Sequence, residues 1–230
     1  MHLSFRINWE CKGMKQYTHT NDRIGEIFVE NIYLILALFL LFAYFCGSIP
    51  AGYLICKKLY GIDIRTKGSG NIGSTNVNRI LGRKASIYTQ IIDITKGVVP
   101  VVLSIYLTNV ISMPISKNLI ISIVALTVIL GHDYTPFLKF NGGKGVNTTI
   151  GAFFFIAVIP TVIGILAYFA LKLFTPIVSL RSITLSILIF LMCVVLAYPM
   201  EITAASGIAC LLLIYRHKDN LYRLARGEEG

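Results

Sequence analysis

The stretch NTTIGAFFFIAVIPTVIGILAYFALKLF, residues 147–174, decides the architecture of this chain. It runs for 28 residues with one charge, Lys172, close to its end, and Pro160 near its middle. A hydrocarbon core of about 30 Å takes roughly 20 apolar residues per helix. The stretch therefore reads either as one long tilted span or as two short spans broken near Pro160. Five further runs nearly free of charge accompany it: Ile32–Cys56, Ile87–Leu107, Leu119–Leu130, Ile183–Tyr198 and Ile202–Tyr215. Hydrophobic residues make up 55% of the 230 and charged ones 14%, against about 25% charged in a soluble domain. With a mean hydropathy of +0.72, the chain reads as an all-α, polytopic membrane bundle.

Charge chooses between the two readings of 147–174. The net charge is +10 and the pI about 9.5, and lysine and arginine accumulate in cytoplasmic loops. Seven bases (Lys57, Lys58, Arg65, Lys67, Arg79, Arg83, Lys84) face the single acid Asp63 between Lys57 and Lys84, which places this segment inside. The second span then exits, turns at Ser112–Ser116, and the third returns the Gly142–Gly145 loop to the cytoplasm. One crossing by 147–174 would leave Ser179-Leu-Arg-Ser182 and the basic tail (Arg216, Lys218, Arg223, Arg226) outside. Two crossings keep all four clusters inside and predict seven transmembrane helices. Spans of about 13 residues are short, but thinning of the bilayer or re-entry accommodates them at modest cost.

Residues 1–27 are polar and mildly basic and read as an extension beside an integral-membrane domain at residues 28–230. The first apolar run is too long for the apolar region of a signal peptide and reads as a retained anchor. The five cysteines (Cys11, Cys46, Cys56, Cys193, Cys210) lack metal-ligand spacing and read as free, mostly buried thiols, so no metal is expected. No basic, aromatic-studded soluble domain is present to bind nucleic acid.

The chemistry is carried by glycine-rich, basic loops between the spans. Gly68-Ser-Gly-Asn-Ile-Gly-Ser-Thr-Asn76 is followed by Arg79 one helical turn after Thr75. Glycines let a ligand approach the backbone, and exposed N–H groups beside fixed cations hold phosphate. Gly68, Gly70 and Gly73 match the dinucleotide fingerprint letter by letter, but that fingerprint needs a βαβ unit, and membrane helices flank it here. In the second loop, Gly142-Gly-Lys-Gly145, Lys144 is placed to pair with phosphate as a point charge. Walker A needs Ser or Thr after its lysine and a glycine five before it, and Gly145 and Lys139 stand there instead. His217 and Asn220, one turn apart, leave the last span within Arg216-His-Lys-Asp-Asn220. Ser179, Arg181 and Ser182 form a fourth polar point, with Arg181 the strongest candidate for a bidentate phosphate contact. Asp93 and Lys96, three apart within a span, read as a self-neutralising pair.

Absences narrow the chemistry. None of His2, His19, His132 and His217 has an aspartate five positions on, so the general-base motif of acyltransferases using coenzyme A or acyl carrier protein is missing. No G-x-S-x-G elbow is present either. A transporter of a phosphorylated organic anion explains spans and cationic loops too. Transporters, however, place their sites near the midplane on broken helices and show internal repeats, which this sequence does not. A purely structural lipid-binding protein would not need three glycine-rich loops on one side.

Gly47-Ser-Ile-Pro-Ala-Gly52, Gly68–Asn76 with Arg79, Gly131-His132 with Phe140-Asn-Gly-Gly-Lys-Gly-Val146, Ser179-Leu-Arg-Ser182 and Arg216–Asn220 together resemble the bacterial acyl-phosphate:glycerol-3-phosphate acyltransferases, over about Ile32 to Glu229. Ser74 and Asn147 depart from that pattern, standing where alanines are usual, and Pro136 is displaced by one place. The resemblance implies transfer of a fatty acyl group from acyl-phosphate to the 1-hydroxyl of sn-glycerol 3-phosphate, without metal or cofactor. The products are 1-acylglycerol 3-phosphate and phosphate. It implies seven helices in the bacterial cell membrane, with a cytoplasmic site, membrane lipid around it, and the soluble enzyme that makes acyl-phosphate as a partner. By the same resemblance Ser69, Arg79, Lys144, Ser182, His217 and Asn220 line the substrate site, and Asn71, Thr75 and Glu228 support its loops. Gly68, Gly70, Gly142, Gly143, Gly145 and Arg181 join them as substrate-binding positions. An acyl-phosphate is already activated, so positioning two anions and stabilising developing charge suffice. The hydroxyl proton goes to a substrate phosphate oxygen or, as the rival, to His217.

Overall fold

Apolar runs in a bilayer have no water to satisfy their backbone, so each closes its hydrogen bonds as a helix. The computed structural model describes residues 31–111 and 113–229; the extension at 1–27, Cys11, His2 and His19 lie outside them. Internal contacts divide the chain into Met1–Phe39 and Leu40–Gly230, and the core and the site belong to the second unit. Among the described residues the protein is all-α. Its helices are α1 (Asn31–Ser48), α2 (Ala51–Tyr60), α3 (Ser74–Val110), α4 (Lys117–Asp133), α5 (Val146–Phe154), α6 (Val158–Leu171), α7 (Val178–Val195), α8 (Met200–Arg216) and α9 (Lys218–Ala225). Of these α1, α3, α4 and α7 are long and apolar enough to cross a membrane by themselves, and α6 is a shorter apolar helix.

The stretch 147–174 is broken. Helix α5 ends at Phe154 and α6 begins at Val158, with a tight turn in which Ala157 N–H reaches back to Phe153 O at 2.8 Å. Pro160 sits in the first turn of α6, where its missing N–H leaves no bond unmade. With nine residues, α5 rises only about 13 Å. It lies close against α3: a Cβ on Gly151 would stand 2.1 Å from Ile94 O, and one on Gly97 2.5 Å from Thr148 O. Small residues at such crossings let two backbones approach and pack by dispersion.

Helix α3 is not straight. Gly82 has φ 79° and ψ −178°, which splits Ser74–Leu81 from the long segment that follows. In an unbroken helix residues 74 and 86 would lie about 18 Å apart. Here the Ser86 hydroxyl donates to Ser74 O at 2.8 Å, so the chain doubles back at the glycine. Under this corner Ile55, Cys56, Ile64, Ile72, Val77, Ala85 and Leu138 form a small apolar core that seats the glycine-rich loop on α2.

Of the long spans, α4 is the most enclosed, with Val124, Ala125, Val128 and Ile129 buried. Outward faces carry large apolar side chains such as Leu166, Phe169, Val195 and Leu211, the surface lipid requires. Asp93 and Lys96 form their buried pair at 2.8 Å. Lys96 also donates to Ile49 O at 2.8 Å, and His132 of α4 approaches Asp93 at 3.7 Å. The four cysteines among the described residues are free.

Candidate active site

The loop before α3 is built around one buried amide. Asn76 accepts from Ser69 N–H at 3.0 Å and donates to Lys67 O at 3.0 Å and Asn71 O at 2.9 Å. Asn71 in turn accepts from Gly73 N–H at 2.8 Å. Gly68 and Gly70 take positive φ to close this wrap. Held in this way, Ser69, Asn71, Thr75 and Arg79 line a cavity of about 140 Å³.

The loop before α5 is clamped from two sides. Gly142 N–H and Gly143 N–H donate to Asp133 O and His132 O at the end of α4, at 3.0 and 3.1 Å. From α8 the Arg216 guanidinium donates to Gly143 O at 2.8 Å and Gly142 O at 3.3 Å, while stacking over Tyr134. The His132 ring lies so close that a Cβ on Gly143 would stand 2.1 Å from its Nε2. The clamp delivers Lys144 and Gly145 into the same cavity. Burial pulls the Lys144 ammonium down to about 8, partly offset by the Glu229 carboxylate.

The tail supplies the third wall. His217 and Asn220 line the cavity, and Asn220 Oδ1 accepts from Lys144 Nζ. Asn220 donates to the Glu229 carboxylate, which also accepts from Arg223 Nε at 3.1 Å. Burial pushes the Glu229 pKa up, but these hydrogen bonds outweigh it and hold the group ionised. His217 Nδ1 lies 2.8 Å from Leu213 O. Burial lowers the ring to about 4 against the opposing effect of that carbonyl. The ring is therefore neutral at pH 7, with Nδ1–H donating to the carbonyl and Nε2 left as the acceptor.

From α7, Ser179 and Ser182 reach the cavity. Arg181 borders neither cavity; it is buried, bonds Pro176 O at 3.1 Å and Ile177 O at 3.4 Å, and lies over Tyr168. Gly70, Gly142 and Gly143 shape their loops without lining the cavity. Gly68 and Glu228 border a second cavity of about 260 Å³, which shares Ser69, Arg79 and Glu229 with the first. The tail carboxylate hydrogen-bonded to Asn220 is that of Glu229, one residue beyond the position taken from the resemblance. Gln90, Asp93, His132, Ser74 and Asn147 also line the first cavity. Of these, Ser74 and Asn147 stood out in the sequence only as departures from a pattern. The lining also includes the apolar side chains of Ile150, Ile165, Phe169, Val178 and Leu185.

Fold and cavity together define a helical membrane protein with a glycine-framed pocket whose lining brings Arg79, Lys144, Asp93 and Glu229 together with apolar side chains. The comparisons give this class its family. The glycerol-3-phosphate acyltransferase family profile matches residues 37–227, and the chain belongs to that family. The glycerol-3-phosphate acyltransferase of Clostridium acetobutylicum is 56% identical over 196 residues, covering 85% of this chain and 99% of the relative. That of Aquifex aeolicus is 38% identical over 194 residues, covering 84% and 97%. The crystal structure of PlsY (YgiH), an integral membrane glycerol 3-phosphate acyltransferase, in its glycerol 3-phosphate form, superposes with a TM-score of 0.78. It is 35% identical and covers 85% of this chain and 94% of its own. A second structure of PlsY, in its lysophosphatidic acid form, gives a TM-score of 0.76 at 34% identity.

Proposed function

We propose that this membrane acyltransferase moves a fatty acyl group from acyl-phosphate to the 1-hydroxyl of glycerol 3-phosphate, giving 1-acylglycerol 3-phosphate and inorganic phosphate. One observation carries the reading: segments from Ser69 to Glu229 converge on one cavity whose lining combines Arg79, Lys144 and several neutral hydrogen-bonding side chains with apolar ones. Two phosphates need the polar groups and an acyl chain the apolar ones. The acceptor and the product are supported by the glycerol 3-phosphate and lysophosphatidic acid forms of the 35% and 34% identical structures.

In this reading the glycerol hydroxyl oxygen attacks the carbonyl carbon of the mixed anhydride, and the bond from that carbon to the phosphate oxygen breaks. Lys144 and Arg79 offset the repulsion of two anions held together and stabilise the departing phosphate. His217 Nε2, neutral and basic only near pH 4, accepts a hydrogen bond from the hydroxyl and orients it. A substrate phosphate oxygen is the better final acceptor of the proton, because its pKa lies nearer the working pH. Asn220 fixes Lys144, and Ser69, Thr75 and Ser182 complete the polar lining. No residue is required as a covalent nucleophile.

That the loops from Gly68, Gly142 and His217 all reach one cavity supports a topology that keeps them on one side of the membrane, the seven-span arrangement with a cytoplasmic site. The deciding experiment supplies purified protein in detergent with acyl-phosphate and glycerol 3-phosphate and follows phosphate and lipid product together. Stoichiometric release of both, abolished in Lys144→Ala, is the expected result. Turnover only with acyl-coenzyme A or acyl carrier protein would overturn the donor. No turnover with any donor, together with glycerol 3-phosphate flux in reconstituted vesicles, would overturn the enzyme reading. His217→Ala retaining kcat within about tenfold would exclude that ring as general base, whose loss typically costs 10²–10⁴-fold.

A further inference from the structure

Ser74 and Asn147 lie 73 positions apart; Ser74 is the first residue of α3 and Asn147 the second of α5, each beside a glycine-rich loop. Asn147 Nδ2 donates to Ser74 Oγ at 3.1 Å, and Gln90 Nε2 donates to Asn147 Oδ1 at 3.4 Å. All three side chains line the first cavity. The bridge thus ties three pieces together: the short segment Ser74–Leu81, the long segment of α3 that carries Gln90, and the start of α5.

The short segment needs such a tie. It carries Thr75 and Arg79, yet the break at Gly82 means that the helix continuing to Val110 does not transmit its orientation. Nothing packs within 4 Å of where a Cβ on Gly82 would stand, so the corner itself is not wedged. Asn76 and Val77 anchor the segment to the loop and to the core beneath it; across the corner its first residue is fastened by Ser86, which holds the Ser74 carbonyl, and by Asn147, which holds its hydroxyl. On the far side Asn147 is three residues from Lys144. We infer that the Ser74–Asn147 bridge positions Arg79 against Lys144, setting the spacing of the two cations on which the proposed reaction depends. Ser74 and Asn147 are therefore positioning residues, with Gln90 holding the Asn147 amide in the orientation that donates to the serine.

For its kinetics the inference rests on the acyl-transfer reading, so the test has a second arm that does not. Ser74→Ala, Asn147→Leu and the double variant are compared with wild type for kcat, KM and Tm, and by backbone hydrogen exchange. Exchange is expected to accelerate in Ser74–Leu81 and Gly142–Asn147, with Arg83–Val110 unchanged. Each single variant is expected to lose about tenfold in kcat/KM, as misplacement of catalytic groups does. The double variant should be no worse than the worse single one, the signature of coupled residues. Ser74→Thr keeps the acceptor oxygen and is expected to recover to within about threefold of wild type by the same principle. Additive losses, losses that follow Tm, or unaltered exchange in Ser74–Leu81 would each overturn the inference. Should wild-type protein turn over no substrate, the acyl-transfer reading fails, and the exchange pattern alone decides whether the bridge holds the segment.

Discussion

In the proposed reaction Lys144 is expected to set the upper edge of the working pH range. Its pKa is drawn down to about 8 by burial, so the ammonium is present below that pH and gives way to a neutral amine above it. Only the charged form offsets a phosphate, and kcat/KM is therefore expected to fall above pH 8, approaching about tenfold per unit. Lys144→Arg should remove this limb even if it lowers the maximum, because a guanidinium stays charged throughout. A limb that persists in the arginine variant would assign it to another group. Arg216 acts on the same loop through its fork. Two carbonyls, Gly142 O and Gly143 O, receive its N–H groups, and an ammonium cannot span both while stacking on Tyr134. Arg216→Lys is expected to lower kcat/KM about tenfold, and added guanidinium should restore activity to Arg216→Ala. Lack of rescue would mean that the arginine serves stability alone. The place of Lys144 at the cavity was legible from its glycine neighbours. That of Arg216 was not, because a basic residue at the end of a span reads equally well as a topology signal.

At the scale of elements, the contact between α3 and α5 decides how close the loops come. Both backbones are exposed to each other at Gly97 and Gly151, and neither Ile94 O nor Thr148 O can yield without moving a helix. Gly151→Ala is expected to destabilise by about 1–3 kcal/mol through overpacking, read as a lowered Tm in detergent. An unchanged Tm would show that the crossing is loose. The break between α5 and α6 was foreshadowed, since charge parity favoured two short helices over one long one and Pro160 marked the neighbourhood of the break. The doubling back at Gly82 was not. A glycine inside a helical pattern is commonly tolerated at modest cost, and only the folded backbone at Gly82 and the Ser86–Ser74 hydrogen bond reveal the corner.

At the scale of the whole molecule, the proposed seven-span topology, in which α5, α6 and α8 cross beside the four long apolar helices, predicts a sided protein. Cysteines placed at the exposed positions Lys117, Lys139 and Lys218 in a cysteine-free background test it with an impermeant maleimide on intact cells. Labelling is expected at 117 only. Labelling at 218 but not 139 would restore the single crossing by 147–174. The sequence by itself determined the helical class, the broken stretch and the loops that carry the chemistry, because hydropathy, glycine and charge act locally and are written residue by residue. It marked Ser69, Arg79, Lys144, His217 and Asn220 as one group through motif order. Tertiary structure alone decided what each polar group faces: Arg181 turned to backbone carbonyls, Glu229 rather than Glu228 bonded to Asn220, His132 set against Gly143, and Ser74 joined to Asn147. Ser74 and Asn147 meet only because distant helices pack together, and Arg181 and Asn220 take partners close in sequence according to how their surroundings fold; no local pattern encodes either choice.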